Sequence, residues 1–177
     1  MKSRIVLAMH GAPPLDYPRA ELSEFFGLHA RMEHAPAEQR AAIAPRYFEL
    51  DRKVRSWPRT PENDPFYAGA CALADALSTA AGCEVLLGFN EFCAPLLEEA
   101  LDQSAASGAS RVVVITPMVT RGGEHSEKEI PAAVQDAQQR YPQVEFRYAW
   151  PLDLQAVAQF LAGQVAGHLN EGSAGPQ

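Results

Sequence analysis

Hydrophobic residues form three short continuous runs along the chain, separated by segments in which apolar positions recur with helical spacing. The runs cover residues 4–9, 83–87 and 111–115, and continuously apolar runs of this length are typical of parallel strands covered on both faces. A fourth run, residues 144–148, alternates between apolar and polar positions and is predicted to be an edge strand. Since strands that alternate with helices are joined by crossovers, the pattern predicts an α/β fold with a parallel sheet of about four strands and helices on both faces.

Local signals place the helices between these runs. Asp64 and Pro65 predict the start of a helix, as an N-cap and a first-turn proline, and Gly82 predicts its end in a left-handed conformation. Apolar stripes predict two further helices, one around residues 96–101 and a last one around residues 157–168.

The segment from about residue 13 to residue 63 is too long for a simple crossover and carries two helical patterns of its own. We therefore predict one domain, residues 1–170, with a helical insertion after the first strand. Core packing is the preferred interpretation of the aromatic residues in this insertion, and a lid over a flat aromatic substrate is the alternative. Residues 171–177 are small and polar and are predicted to be a disordered tail.

Charge and cysteine usage exclude several classes of function. The net charge is −7 and no dense cluster of Lys and Arg is present, so we expect no nucleic-acid partner. No apolar run is long enough to span a bilayer, so we expect no membrane partner either. Cys71, Cys83 and Cys93 are odd in number and lack C-x-x-C spacing, which argues against a disulfide framework and a thiolate zinc site and favours a cytoplasmic location.

Three residues that could carry chemistry follow predicted strands. In an open parallel sheet, ligands bind beyond the carboxyl ends of the strands, and His10, Glu91 and His125 lie in such positions. Each has an ordinary structural explanation when taken alone; Glu91, for example, could be a first-turn carboxylate of a helix opened by Pro95. Together, two imidazoles and a carboxylate suit a borderline divalent metal and leave coordination positions open for a substrate.

The segments around these residues resemble the motifs of a known family. They are Met9-His10-Gly11, Phe89-x-Glu91-x-x-x-Pro95 and Gly123-x-His125-x-x-x-Glu129-Ile130-Pro131. They resemble the class II tetrapyrrole chelatases of the sirohydrochlorin cobaltochelatase and ferrochelatase (CbiX) type. The resemblance covers residues 3–12 and roughly 65–150. The chain departs from it at Ala12-Pro13, where family members commonly have Ser-Arg.

The resemblance implies a flavodoxin-like domain and an enzyme of the lyase class that inserts Co²⁺, Fe²⁺ or Ni²⁺ into sirohydrochlorin or a related tetrapyrrole. His10 and His125 would be metal ligands that also accept protons, with Glu91 as their acidic partner, and Arg121 and Gly123 would bind the substrate. The metal would itself be a substrate, no organic cofactor would be needed, and the chain would act as a homodimer. Glu129 is interpreted as structural, because residues 126–129 fit a capping box.

Three alternatives remain open at this point. A protoporphyrin-type ferrochelatase shares the fold, and the turn at residues 11–14 is mildly suggestive of it. A non-enzymic metal or tetrapyrrole carrier would keep the same ligands while the altered first loop removes turnover. A flavin-binding protein shares only the expected sheet and lacks an evident phosphate-binding loop.

Overall fold

The structure, a computed structural model, describes residues 2–170, and the segment predicted as a disordered tail lies outside them. The chain order is β1 (Ser3–Met9), α1 (Arg19–His34), α2 (Ala37–Arg55), α3 (Pro65–Ala81), β2 (Val85–Phe89), α4 (Leu97–Ala106), β3 (Arg111–Ile115), a π-helical turn (His125–Glu129), α5 (Ile130–Arg140), β4 (Glu145–Tyr148) and α6 (Leu154–Asn170). Asp64 caps α3 by accepting the backbone N–H of Tyr67 at 2.8 Å, and Gly82 ends it with a φ of 59°, as predicted.

The strands form one parallel sheet in the order β2-β1-β3-β4. Strand β4 lies at an edge, which its alternating pattern predicted. Successive residues of a strand point to opposite faces, so Val6 and Ala8 enter a core with α4 and α5, whereas Leu7 and Met9 enter a second core with α3. The predicted α/β architecture with helices on both faces is thereby confirmed.

Strand β2 lies two residues further along the chain than the predicted run 83–87. Gly88 continues the strand because α4 packs directly against it: a Cβ atom at this position would lie 2.9 Å from the Cα atom of Leu97. Pairing with β1 therefore extends to Phe89 opposite Met9. The chain leaves the sheet at Asn90, immediately before Glu91.

Helices α1 and α2 form the hairpin of the predicted insertion. Phe25 and Leu50 are buried between them, and Phe92, from the loop after β2, completes this small core. The insertion is thus packed as a core of its own and docked beside the carboxyl end of β2. The backbone N–H of Leu15 donates to the carbonyl of Asn63 at 2.7 Å, so the inserted segment leaves and rejoins the domain at a single place.

Helix α6 packs only loosely against the rest of the domain. Residues 154–169 contain no Asp, Glu, Lys or Arg. Phe160, Leu161 and Val165 are 64%, 51% and 49% exposed, so an apolar stripe of this helix faces solvent. None of the helices within residues 2–170 combines the length and apolar character needed to cross a bilayer.

Candidate metal centre

The side chains of His10, Glu91 and His125 lie together at the carboxyl ends of the strands. One potential ligand atom of each lies within 4.8 Å of the other two. Glu91 Oε1 is 2.9 Å from His10 Nε2 and 3.6 Å from His125 Nε2. The two imidazole rings meet edge to face, with their centroids 4.6 Å apart. The three residues that the sequence singles out are neighbours, and they offer two imidazole nitrogens and a carboxylate, a donor set that suits a divalent metal.

The loop after β1 needs a glycine at position 11. Gly11 has a φ of +104°, and a Cβ atom there would lie 1.9 Å from the carbonyl oxygen of Glu91. The backbone N–H of Glu91 donates to the carbonyl of His10 at 3.0 Å. The two loops that carry these ligands are therefore in direct backbone contact, which any side chain at position 11 would disrupt.

A buried guanidinium ties both loops to the inserted hairpin. Arg59 donates to the carbonyl oxygen of Ala12 at 2.6 Å, in the loop after β1, and to that of Phe92, in the loop after β2. It also donates to the carbonyl oxygen of Val54 at 3.0 Å, in the last turn of α2. Its charge is paired with Asp64, the N-cap of α3. Asp64 therefore has a second role besides the capping role predicted from the sequence, and no local pattern indicated the role of Arg59.

The second nitrogen of each imidazole has a partner that orients the ring. His10 Nδ1 lies 2.8 Å from the carbonyl oxygen of Gly11, which can only accept, so Nδ1 carries the hydrogen. His125 Nδ1 lies 2.6 Å from Glu129 Oε2, and the same argument applies. With Nδ1 of each ring held in this way, both Nε2 atoms face Glu91 Oε1, at 2.9 Å and 3.6 Å, so a divalent cation can take the place of a proton between an imidazole and the carboxylate.

His125 is the first residue of the π-helical turn, a type of turn that is frequent at functional sites. The capping-box interpretation of residues 126–129 is wrong. Ser126 is buried inside this turn, and its hydroxyl donates to the carbonyl of Gly123 at 3.2 Å instead of capping α5. Pro131 does lie in the first turn of α5, as expected. Glu129 is therefore available to contact His125, which its spacing in the sequence did not indicate.

A polar cavity of about 360 Å³ opens beside Glu91 and His125. Its lining residues come from the sheet edge, the π-helical turn and both inserted helices: His29, Tyr47, Arg55, Asn90, Glu91, Glu124, His125 and Glu129. Nothing in the local pattern of α1 indicates that His29 belongs to the site. The hairpin brings it there, with His29 Nδ1 3.2 Å from the hydroxyl of Tyr47.

The two residues expected to bind substrate lie elsewhere or at the margin. Arg121 is 75% exposed, pairs with Glu127 at 3.1 Å, and lines a separate cavity next to α6. Gly123 lies in the turn before His125, where its carbonyl accepts the hydroxyl of Ser126. Neither residue lines the cavity that contains Glu91 and His125.

Two curated proteins from Priestia megaterium resemble part of the chain. A sirohydrochlorin cobaltochelatase is 42% identical over 64 residues, which is 36% of this chain and 21% of the relative. A sirohydrochlorin ferrochelatase is 32% identical over 63 residues, 36% of this chain and 23% of the relative. The matched segment thus spans less than a quarter of either relative.

A solved structure shows the same fold over nearly the whole chain. It is the CbiX protein of Marinobacter aquaeolei VT8, named for cobalamin (vitamin B12) biosynthesis, with a TM-score of 0.52 and 15% identity over 96% of this chain and 98% of that one. The CbiX family profile matches residues 62–165, more than half of this chain. That range includes Glu91, His125 and Glu129, while the fold adds His10 from outside it. From the family profile, the shared fold and the donor set together, we conclude that the chain belongs to the CbiX family of class II chelatases.

Proposed function

We propose that this protein inserts a divalent metal into sirohydrochlorin or a closely related tetrapyrrole. The observation that carries the proposal is the convergence of His10 Nε2 and His125 Nε2 on Glu91 Oε1, beside a cavity open to a ligand. The names of the Priestia megaterium relatives support sirohydrochlorin as the macrocycle and cobalt or iron as the metal. Nickel fits the same donor set, because imidazole and carboxylate ligands do not discriminate among these ions.

Metal insertion replaces two pyrrole N–H protons with one divalent cation, so the site must hold the cation and accept protons. A neutral imidazole can bind the cation through Nε2 and, once the cation has passed to the ring, accept a proton at the same atom, so we assign both tasks in succession to His10 and His125. The ionised carboxylate of Glu91 offsets the charge of the metal or takes up a released proton. Three protein ligands leave positions for the ring nitrogens, so the metal can pass to the macrocycle. The metal is a second substrate in this scheme, and the scheme needs no organic cofactor.

The reaction can be tested with the purified chain, sirohydrochlorin and Co²⁺, Fe²⁺ or Ni²⁺, by following the absorption bands of the macrocycle. Replacement of either imidazole, in His10→Ala or His125→Ala, should lower the rate of metal insertion by about 100-fold or more. His34→Ala, on α1 and outside the cavity, is the matched control and should retain the rate.

Two outcomes would favour another function. Faster metallation of protoporphyrin than of sirohydrochlorin would identify a protoporphyrin-type ferrochelatase. Stoichiometric binding of the metal without any metallated product over many equivalents of macrocycle would identify a carrier. Full activity in both histidine variants would exclude the proposed metal centre.

We also propose that the chain pairs with a second copy through α6. This helix carries no charged side chain between residues 154 and 169 and exposes an apolar stripe. The α3 side of the sheet has an apolar groove lined by residues that include Leu7, Leu73 and Leu77, so each copy carries both an uncovered helix and an uncovered groove. An exchange of α6 between copies would bury both surfaces twice.

The mass of the protein in solution tests this pairing. Light scattering should give twice the mass of one chain, and the double variant Phe160→Asp/Val165→Asp should give one. Gln155→Asp, on the same helix, is the control and should remain paired. A wild-type protein that stays monomeric at high concentration would contradict the pairing without affecting the metal centre.

A further inference from the structure

Arg55, the last residue of α2, lines the cavity that contains Glu91 and His125. Its Nε atom donates to both carboxylate oxygens of Asp51 at 2.8 Å, one helical turn earlier, and each of these two side chains is 18% exposed. Its Nη1 atom is buried and has no hydrogen-bond partner among residues 2–170. A buried N–H group without an acceptor is costly, so an acceptor is expected from a ligand.

The charges around the cavity indicate which charged group that ligand must carry. Glu91, Glu124 and Glu129 all line it, and Arg55 is the one guanidinium or ammonium group among the described lining residues. Such a cavity attracts a divalent cation but repels a substrate that carries carboxylates. A guanidinium with a donor to spare offsets this repulsion locally and pairs with a carboxylate through charge-assisted hydrogen bonds.

A second residue of the same cavity, Asn90, also has an unpartnered polar atom. The amide of Asn90 donates to Glu129 Oε2 at 3.4 Å, while its Oδ1 atom is buried without a partner in the described part of the chain. Two residues that line the cavity therefore carry buried polar atoms without partners in the described part of the chain, a donor on Arg55 and an acceptor on Asn90. A polar ligand with carboxylates and ring N–H groups would supply a partner for each atom, a carboxylate oxygen for the donor and a ring N–H for the acceptor.

We infer that Arg55 binds a carboxylate of the tetrapyrrole substrate, which makes the inserted hairpin part of the substrate-binding surface. The inference rests on the proposed function for the identity of the ligand. Asp51 holds the guanidinium through Nε, so Nη1 remains to donate to the substrate. The insertion thereby selects macrocycles whose rim carries a carboxylate at the edge that faces α2, while His10, Glu91 and His125 handle the metal.

The test measures the dissociation constant of uroporphyrin, a free-base polycarboxylate porphyrin, from the quenching of its fluorescence by the full chain. Arg55→Met should weaken binding by about tenfold or more, the loss expected for one charge-assisted hydrogen bond. Arg55→Lys keeps the charge but lacks the planar guanidinium, so its affinity for uroporphyrin should lie between those of the wild type and Arg55→Met. Arg40→Met, on the same helix and outside the cavity, should bind like the wild type.

A polycationic porphyrin distinguishes a charge contact from a change of shape. Arg55→Met should bind this probe as tightly as the wild type or more tightly. A general distortion of the cavity would instead weaken the binding of both the cationic porphyrin and uroporphyrin. Should loss of the ion pair with Asp51 destabilise the fold, the double variant Asp51→Asn/Arg55→Gln removes both charges and should still bind uroporphyrin weakly.

Two results would overturn the inference. Uroporphyrin binding of equal strength in wild type and Arg55→Met is one, and no detectable binding to the wild type is the other. Both results concern binding and not turnover. A failure of the proposed function would be recognised separately, because the wild type would then form no metallated product. Weaker uroporphyrin binding in Arg55→Met supports the inference even if metal insertion is absent.

Discussion

Arg59 and Asp64 form an ion pair that is almost completely buried, with side chains 7% and 1% exposed. Through Arg59 this pair is hydrogen-bonded to the loops after β1 and β2, the loops that carry His10 and Glu91. The spacing between two of the proposed metal ligands therefore depends on a charge pair that does not itself belong to the metal centre.

Asp64→Asn tests this dependence, because asparagine caps a helix as well as aspartate does but cannot neutralise Arg59. Removing one partner of a buried pair leaves an uncompensated charge, so we expect the free energy of unfolding to fall by about 3–5 kcal/mol in urea denaturation. Asp102→Asn removes the partner of Arg140 in a pair that is 40–42% exposed, and should cost about 1 kcal/mol or less. Equal losses in the two variants would show that the buried pair has no special role.

Gly11→Ala should disrupt the contact between the loops after β1 and β2. The new methyl group would meet the carbonyl of Glu91, and an L-residue is strained at a φ of +104°. We expect weaker Co²⁺ binding in a calorimetric titration, together with lower stability. Gly69→Ala, in α3, meets no atom within 4 Å and should leave Co²⁺ binding unchanged while stabilising the helix slightly. Wild-type Co²⁺ affinity in Gly11→Ala would contradict the close packing of the two loops.

Glu129→Gln should weaken Co²⁺ binding by about 10- to 100-fold, the range typical for loss of a carboxylate that orients a metal-binding histidine. Its Oε2 atom accepts from His125 Nδ1, and an amide at this position no longer favours the same tautomer as strongly. Glu127→Gln, in the same turn and paired with Arg121, is the control. If both variants bind Co²⁺ like the wild type, Glu129 does not position His125.

The titration of Tyr148 at alkaline pH should report on how the π-helical turn packs against it. Burial, and secondarily the charge of Glu127, raises the pKa of Tyr148 to about 12 from its ordinary 10.0. Its hydroxyl donates to the carbonyl of Ser126 at 2.9 Å. Because the folded pKa exceeds the unfolded one, the contribution of Tyr148 to stability is fully present below about pH 10 and is lost as the pH rises towards 12.

Tyr148→Phe should therefore be less stable than the wild type at neutral pH and lose less stability between pH 10 and pH 12. In a spectrophotometric titration, Tyr148→Phe should also lack the phenolate absorbance that appears near pH 12 in the wild type. Tyr141→Phe is the control for the loss of one tyrosine. An unchanged phenolate titration in Tyr148→Phe would show that this hydroxyl is not the one whose pKa is raised.

The sequence predicted the sheet and the positions of the proposed ligands because both depend on local signals. Continuous apolar runs identified the strands, and the polar residue that follows each strand marked the edge where ligands bind. Strand β2 was misplaced by two residues because the predicted run ends at position 87, whereas Gly88 belongs to the strand and allows the close approach of α4. Hydrophobic periodicity cannot report such contacts between elements.

The surroundings of the site could not be predicted in the same way. Arg55 and His29 reach the cavity because the inserted hairpin folds back over the sheet edge, and nothing in their local pattern distinguishes them from solvated helix residues. Glu129 has the spacing of a capping box, and only the π-helical geometry of its turn frees it to contact His125. Arg121, chosen for its charge beside the motif, faces a different cavity.

The inserted hairpin begins and ends at adjacent points, where Leu15 is hydrogen-bonded to Asn63. A segment closed in this way can be exchanged with little effect on the strands that hold His10, Glu91 and His125, provided that Arg59 and its contacts with the loops after β1 and β2 are kept. Under the proposed function and the role inferred for Arg55, we expect the macrocycle preference to evolve separately from the metal chemistry, and grafting helices α1 and α2 onto another member of the family to alter selectivity.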